Sequence, residues 1–489
     1  MGRCDHGLQS WVLGAELTEQ LTDFIGRRLV GSGGALSSGG PVSLLIGFGT
    51  VGLIAFAIMQ SLGEITTLYP GGGAFISLAE RFVDKAFAVS VGWSYWFIWV
   101  CVLANEYNVI SSICVFWSKK LPRWGYFLIF WFVFLAFQML GVEAFGEAEF
   151  GLAWIKLLAL GFRYWRDPGP WNNNGFNGVA QVFVFCSTFY AGVESVAVAA
   201  SECKNPGVAV PQATRQVFFR IIFIYMGSAL FFGLSCPANA DGLINGSSRA
   251  LQSPMTIAIQ NAGWEGGVQL INTFIFLTVL SAVNSSIYIG SRTILYLAKS
   301  GGAPRFLSYT NRRGVPVYAI ILTNLVGVIS QMNNSVGGAA AYSYIVNLSG
   351  VSTFLVASIS FIHIRFRDAW KIQGRSISEL PFRSLWYPLI AYFGLAANIF
   401  LALVQGWTTL SPFEAGLFVD TYILLPLFGI IFVGFKLVNK THYWRLEEID
   451  LVSGRRRDLD KVGIKESFGK EAEYVAKKPA WWQRMWKDL

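Results

Sequence analysis

The chain has 489 residues and a formal net charge of +9, with 14% charged and 54% apolar residues. An average soluble domain carries about 25% charged residues. The totals therefore exclude an ordinary soluble protein and point to a chain solvated largely by lipid. The basic surplus lies mainly in short loops and the C-terminal tail, which is a topological signal and not a nucleic-acid surface. Six cysteines, at positions 4, 101, 114, 186, 203 and 236, form no CxxC pair, and only three histidines exist. Neither a metal centre nor a disulfide framework is expected. No secretory signal peptide is visible, and no cofactor is implied.

In chain order, residues 1–28 read as a polar cytoplasmic tail. Gly31 to Gly40 is rich in Gly and Ser, too flexible to stand alone as a helix. Pro41 to Gly63 has no charge and reads as a transmembrane helix. Ala86–Trp117 and Trp124–Gly141 are the next spans. Phe150–Phe162 is apolar except for Lys156, but at roughly 20 Å it is too short to cross unaided. Further spans are read at Val179–Ala200, Val217–Leu234, Gly267–Leu297, Val317–Met332, Tyr342–Ile364, Leu385–Leu403 and Leu417–Leu437. From Lys436 the chain is charged and mixed in sign, a solvated tail. Ten spans and one half-span result.

Basic residues crowd alternate loops of the second half: after Ala200, after Leu297 and after Ile364. Those loops and the C-terminal tail are thus assigned to the cytoplasm. The sequons at Asn245 and Asn333 then fall outside. The first half is ambiguous, because Arg81 and Lys85 lie on one face and Lys119, Lys120 and Arg123 on the other.

Ionisable groups inside spans are costly and mark function by default. Glu106, Lys156 and Glu194 stand out. Glu106 could line a path or pair with a neighbouring helix. Lys156 could exchange a proton, since desolvation favours the neutral amine, or snorkel to an interface. Glu194 lies in Ser187-Thr-Phe-Tyr-Ala-Gly-Val-Glu-Ser, where small and polar residues interrupt a span. An unwound turn there would offer backbone groups to a polar ligand; close helix packing through Ala191 and Gly192 is the alternative. Ser281, Asn284 and Ser285 share a helical face and could line a substrate path or join helices by hydrogen bonds. His363, at a span end beside Arg365 and Arg367, reads as interfacial. No GxSxG, Walker A or HExxH motif appears, so an enzyme is not expected.

Several stretches resemble the fungal amino-acid permeases, the yeast amino acid transporter family of the amino acid–polyamine–organocation superfamily. They are Gln60-Ser-Leu-Gly-Glu-Ile-Thr-Thr-Leu-Tyr-Pro, Tyr190-Ala-Gly-Val-Glu with Glu202-Cys-Lys-Asn-Pro, Ser281-Ala-Val-Asn-Ser-Ser-Ile-Tyr-Ile-Gly-Ser-Arg, His363-Ile-Arg-Phe-Arg and Asp450-Leu-Val-Ser-Gly-Arg-Arg. The resemblance runs from about Val30 to the C-terminus. It implies an all-α polytopic membrane protein with a LeuT-like inverted-repeat fold, twelve helices expected and about ten complete here. It implies proton-coupled uptake of amino acids across the plasma membrane, with the lipid bilayer, protons and trafficking or ubiquitination machinery as partners. The expected layout is a cytoplasmic tail over 1–28, a permease domain over 29–437 and a second cytoplasmic tail over 438–489. Carried over residue by residue, Glu106, Tyr190, Ala191, Gly192, Glu194, Asn284 and Ser285 would line the substrate pocket. Lys156 would stand where sodium-coupled relatives hold sodium and act as the proton switch.

Two departures set this chain apart from the family pattern. Phe24-Ile-Gly-Arg-Arg runs straight into Leu29-Val-Gly-Ser-Gly, and Leu157-Leu-Ala-Leu joins Gly161-Phe-Arg-Tyr-Trp. Each join omits roughly fifteen residues, given about 20 per span. The clean flanks point to a mispredicted or alternatively spliced gene model. As written, the polypeptide is expected to transport poorly or not at all. The alternatives to a permease are a non-transporting amino-acid sensor and an inactive truncated product.

Overall fold

The computed structural model describes residues 5–70, 73–139, 265–312, 314–334, 352–407 and 415–455. It also describes short runs or single residues within 178–197 and 225–239 and at 254, 257, 410 and 413. For 5–34 only the backbone is described. Among these residues the regular elements are all helical, with a lone bridge between Leu410 and Phe413.

Helix α1 runs Asp5–Leu68 and leaves helical geometry only at Gly40, φ 79°. Pro41 disfavours the α region for the residue before it, and glycine accepts the resulting conformation. The Gly/Ser-rich stretch 31–40 is therefore helical, contrary to the expectation of a flexible segment. So is most of the segment read as the tail 1–28. The glycines serve close approach: a Cβ on Gly39 would lie 2.5 Å from Val182, and one on Gly47 3.0 Å from the Cys186 sulfur. Hydroxyls in the apolar part fold back onto their own helix, Ser61 onto the Ala57 carbonyl at 3.1 Å and Thr66 onto Leu62 at 2.6 Å. That local bonding is how polar side chains are tolerated there.

A short helix that the apolar runs did not reveal, α2 (Ala74–Phe82), follows Gly73. Asp84 caps α3 (Lys85–Trp117), accepting from the Ala86 N–H at 3.1 Å. α3 is mostly buried and packs most extensively against α5 (Glu265–Lys299). Helix α4 (Arg123–Gln138) follows α3 and packs on it. Two helices among the described residues, Ala35–Leu68 of α1 and α3, are both long and apolar enough to cross a membrane. The remaining expected spans are shorter helices, mixed-composition helices, or regions partly outside the described residues.

Boundaries moved where packing overrode composition. The expected span Val317–Met332 is a ten-residue helix, α6 (Val317–Val326), followed by a 3-10 stretch at Gly327–Asn334. Helix α7 (Ser352–Ile372) continues past Ile364 because its polar residues find buried partners. Helix α8 is Leu389–Val404. Leu417–Leu437 is divided into α9 (Ala415–Tyr422) and α10 (Leu424–Asn439). Pro426 lacks an N–H for a continuous helix, so it belongs in the first turn of a new one.

The end of α1, α2, the start of α3, the end of α5 and the end of α7 meet at one face. Tyr296 donates to Glu80 Oε2 at 2.9 Å, and Trp93 Nε1 to the Gly302 carbonyl at 2.9 Å. Arg81 and Lys85 therefore share a face with the basic loops after α5 and α7. This removes the ambiguity of the first half: its basic residues Arg81 and Lys85 lie on the face that the charge bias of the second half assigns to the cytoplasm. Residues 441–455, read as solvated tail, lie across the same face, with Ile449 and Leu451 buried.

Candidate functional site

Within the predicted interruption at 187–195 three residues are described: Tyr190 is helical, Gly192 is a turn with φ 106°, and Glu194 has 3-10 geometry. Only glycine takes that φ without strain. Glu194 folds back so that its Oε2 accepts the Gly192 N–H at 2.9 Å, closing the turn. Glu194 is 3% exposed, and Tyr95 of α3 is likewise buried, its ring edge-on to that of Trp99 at 6.0 Å. Tyr190 donates to the Phe48 carbonyl of α1 at 2.8 Å and stacks edge-on with Tyr225 at 4.6 Å. The broken segment is thus held between α1 and α3.

Tyr95, Trp99 and Glu106 share a helical face, at successive spacings of four and seven residues. Glu106 is buried at 2% exposure. Eleven residues along α3 amount to about 16 Å of rise, so Glu106 occupies a different depth from Tyr95. Its neighbour Tyr107 points elsewhere, donating to Asn324 Oδ1 of α6 at 2.6 Å. Asn284 and Ser285 lie on α5, both buried. Gln138 of α4 donates to the Asn284 carbonyl at 3.0 Å and also to its side-chain oxygen. Ser285 donates to the Ser281 carbonyl at 3.1 Å. These contacts tie α4 to α5 and hold the Ser285 hydroxyl on its own helix. Lys156 and Ala191 lie outside the described residues.

A second polar cluster has no counterpart among the sequence expectations. Glu64, near the end of α1, is fully buried; Arg367 Nε lies 2.5 Å from its Oε1 as an ion pair, and Arg367 Nη2 donates to Oε2 at 3.1 Å. His363 Nε2 lies 3.3 Å from Oε1. The Ser384 N–H donates to Oε2 at 2.6 Å, and Gln60 Oε1 takes the Leu385 N–H at 3.3 Å. His363 is therefore buried in a carboxylate cluster and not interfacial as expected: its α7 turn faces α1, and Tyr387 and Phe366 close over the ring. The available signal was the i,i+4 spacing of His363 and Arg367 inside an apolar run, with Glu64 one residue past the end of another.

The geometry is that of a helical membrane bundle with an interrupted helix and buried ionic groups. A sequence profile of the amino acid permeases matches residues 27–161 and 159–448. The chain belongs to the amino-acid permease family. The two matched segments meet at the join between Leu160 and Gly161. Among relatives, the general amino acid permease AGP3 of Saccharomyces cerevisiae is 50% identical over 456 residues, covering 88% of this chain and 81% of that protein. An amino-acid permease of Schizosaccharomyces pombe is 42% identical over 478 residues, covering 94% and 88%. The basic amino-acid permease of S. cerevisiae is 33% identical over 494 residues, covering 94% and 84%. Of solved structures, a manganese transporter of Eremococcus coleocola superposes with a TM-score of 0.51 at 11% identity, over 89% of this chain and 96% of that one. That likeness speaks for the LeuT-like fold alone. Family and relatives are membrane transporters of amino acids and not enzymes.

Proposed function

We propose that this permease is a proton-coupled importer of amino acids of broad side-chain range, acting at the plasma membrane. The observation that carries the reading is the turn at Gly192, with the Glu194 carboxylate folded onto its N–H beside Tyr95. Interrupted membrane helices offer unpaired backbone groups to a charged substrate only where they line a cavity. Tyr190, Ala191, Gly192 and Glu194 form the core of the proposed pocket, and Glu106 of α3 with Asn284 and Ser285 of α5 line the substrate path at another depth. Lys156 is the proposed proton switch. Breadth of substrate is favoured because the relative at 50% identity is a general permease. The basic, lysine-specific and histidine permeases share only 33–34% identity with this chain. The layout proposed with it is a permease domain over 29–437 with cytoplasmic tails over 1–28 and 438–489, the tails serving trafficking or ubiquitination machinery.

One observation favours a second reading, an inactive product. The chain joins Arg28 to Leu29 and Leu160 to Gly161 where the family resemblance calls for roughly fifteen more residues at each point. Uptake of labelled leucine, lysine and glutamate by permease-deficient yeast expressing this chain decides between them. Uptake that rises at pH 5, collapses with a protonophore and falls at least tenfold in Glu194→Gln supports the importer. Uptake indifferent to pH sinks proton coupling. No uptake despite normal surface expression favours the inactive product.

A further inference from the structure

Beyond the last helix, residues 441–455 form an irregular strap across the cytoplasmic face, and it completes the end of α2. The last carbonyls of a helix have no partner within it. Trp444 donates its backbone N–H to the Val83 carbonyl at 3.1 Å and its indole Nε1 to the Glu80 carbonyl at 3.1 Å. Arg365 of α7 donates to the Phe82 carbonyl between them, and also to the Trp444 carbonyl and, at 2.5 Å, the Tyr443 hydroxyl. Further along, Tyr69, just past α1, donates to the Leu451 carbonyl at 2.9 Å. Gln373, just past α7, donates to the Leu446 and Ile449 carbonyls at 3.1 and 2.8 Å, and Arg81 of α2 to the Ser453 carbonyl. One strap thus ties the end of α1, α2 and α7 together.

The fastening is shallow. Its apolar anchors are Ile449 and Leu451, while most strap side chains are exposed. Beneath it a cavity of about 670 Å³ remains, bounded by Tyr69, Arg81, Lys85, Tyr296 and Trp444. A segment fastened mainly by hydrogen bonds, with two buried apolar anchors over an unfilled space, belongs to the low-stability end of a structure and can open without unfolding the core. We propose that the strap is a releasable latch: seated, it restrains α2 against α7, and transport requires it to lift. The role in transport rests on the importer reading; the opening itself does not.

Two measurements test it. The first is hydrogen exchange on the detergent-solubilised full chain. The amides of Trp444, Val452 and Ser453 should exchange together, at least tenfold faster than those of Phe366 to Trp370 in α7. Exchange of both groups only on global unfolding overturns the latch, whatever the chain transports. The second is a reversible cross-link, Val83→Cys with Trp444→Cys, at positions whose backbones are already hydrogen-bonded. Uptake by the oxidised form should fall at least fivefold and return on reduction, with substrate binding unchanged. Equal uptake by both forms overturns the latch. Absence of uptake in both forms counts against the importer reading, and hydrogen exchange then decides whether the latch stands.

Discussion

Replacing Glu64 by Gln isolates the buried ionic cluster. The amide keeps the size of the side chain and an oxygen for the Ser384 N–H, but removes the charge that Arg367 meets at 2.5 Å. Arg367 is 8% exposed and its cluster neighbour His363 is fully buried, so solvent does not replace the lost partner. Breaking a buried pair by removing one member costs about 3–5 kcal/mol, mostly as the penalty of the stranded charge. Unfolding entropy of about 2.1 cal/mol/K per residue gives roughly 1 kcal/mol/K for a chain of this length. Glu64→Gln should therefore lower the midpoint of thermal unfolding in detergent by about 3–5 °C. Arg367→Leu should do likewise, and the double variant should lose less than the sum, with a coupling of at least about 1 kcal/mol. A fall below about 1 °C for Glu64→Gln, or strict additivity, would refute the cluster as a mutually dependent unit.

Gly192→Ala forces a side chain onto φ 106°; the strain of about 1–3 kcal/mol should reopen the turn and raise the KM for uptake more than it lowers stability, read from transport kinetics beside thermal unfolding. Gly73→Ala, with φ 99° and a Cβ that would overlap the Tyr296 ring, should lose most of its folded protein in size-exclusion chromatography. Seating of the strap should be acid-labile. The Ser453 hydroxyl and the Ser453 and Val452 amides that donate to Asp450, with Arg81 nearby, hold its carboxyl down at about 2, below the ordinary 3.8. A carboxyl depressed by folding stabilises fully above its unfolded pKa and loses that contribution as pH falls through the folded one. Strap amides should thus lose protection, relative to α7, between about pH 4 and pH 2, and Asp450→Asn should abolish that dependence. An accessible tag placed before residue 35 should report the side opposite the C-terminal strap if α1 crosses once, and the same side if a second crossing forms.

Much of the site was legible because it is local. The stretch Ser187 to Ser195 declares its own break: small residues, a glycine able to take positive φ and a carboxylate two residues on to close the turn. Glu106 was visible as a charge in an apolar run. Asn284 stood out on its helical face, but its contact with Gln138, a residue nearly 150 positions away, is one that no periodicity reports. Glycines 31–40 looked like a flexible linker because composition does not distinguish backbone freedom from close packing; Val182 at Gly39 makes that distinction.

By itself the sequence determined the solvent, the helical class, the membrane-permease family and the place where a helix breaks. Each follows from composition, run length or residues within a few positions of one another. Tertiary structure decided which face Arg81 and Lys85 share, where the segment after Lys436 comes to rest, and that Glu64 meets Arg367 across 303 positions. Buried charges and unpaired carbonyls must find partners wherever packing puts them. A linear sequence records that the need exists, and only the folded chain shows how it is met.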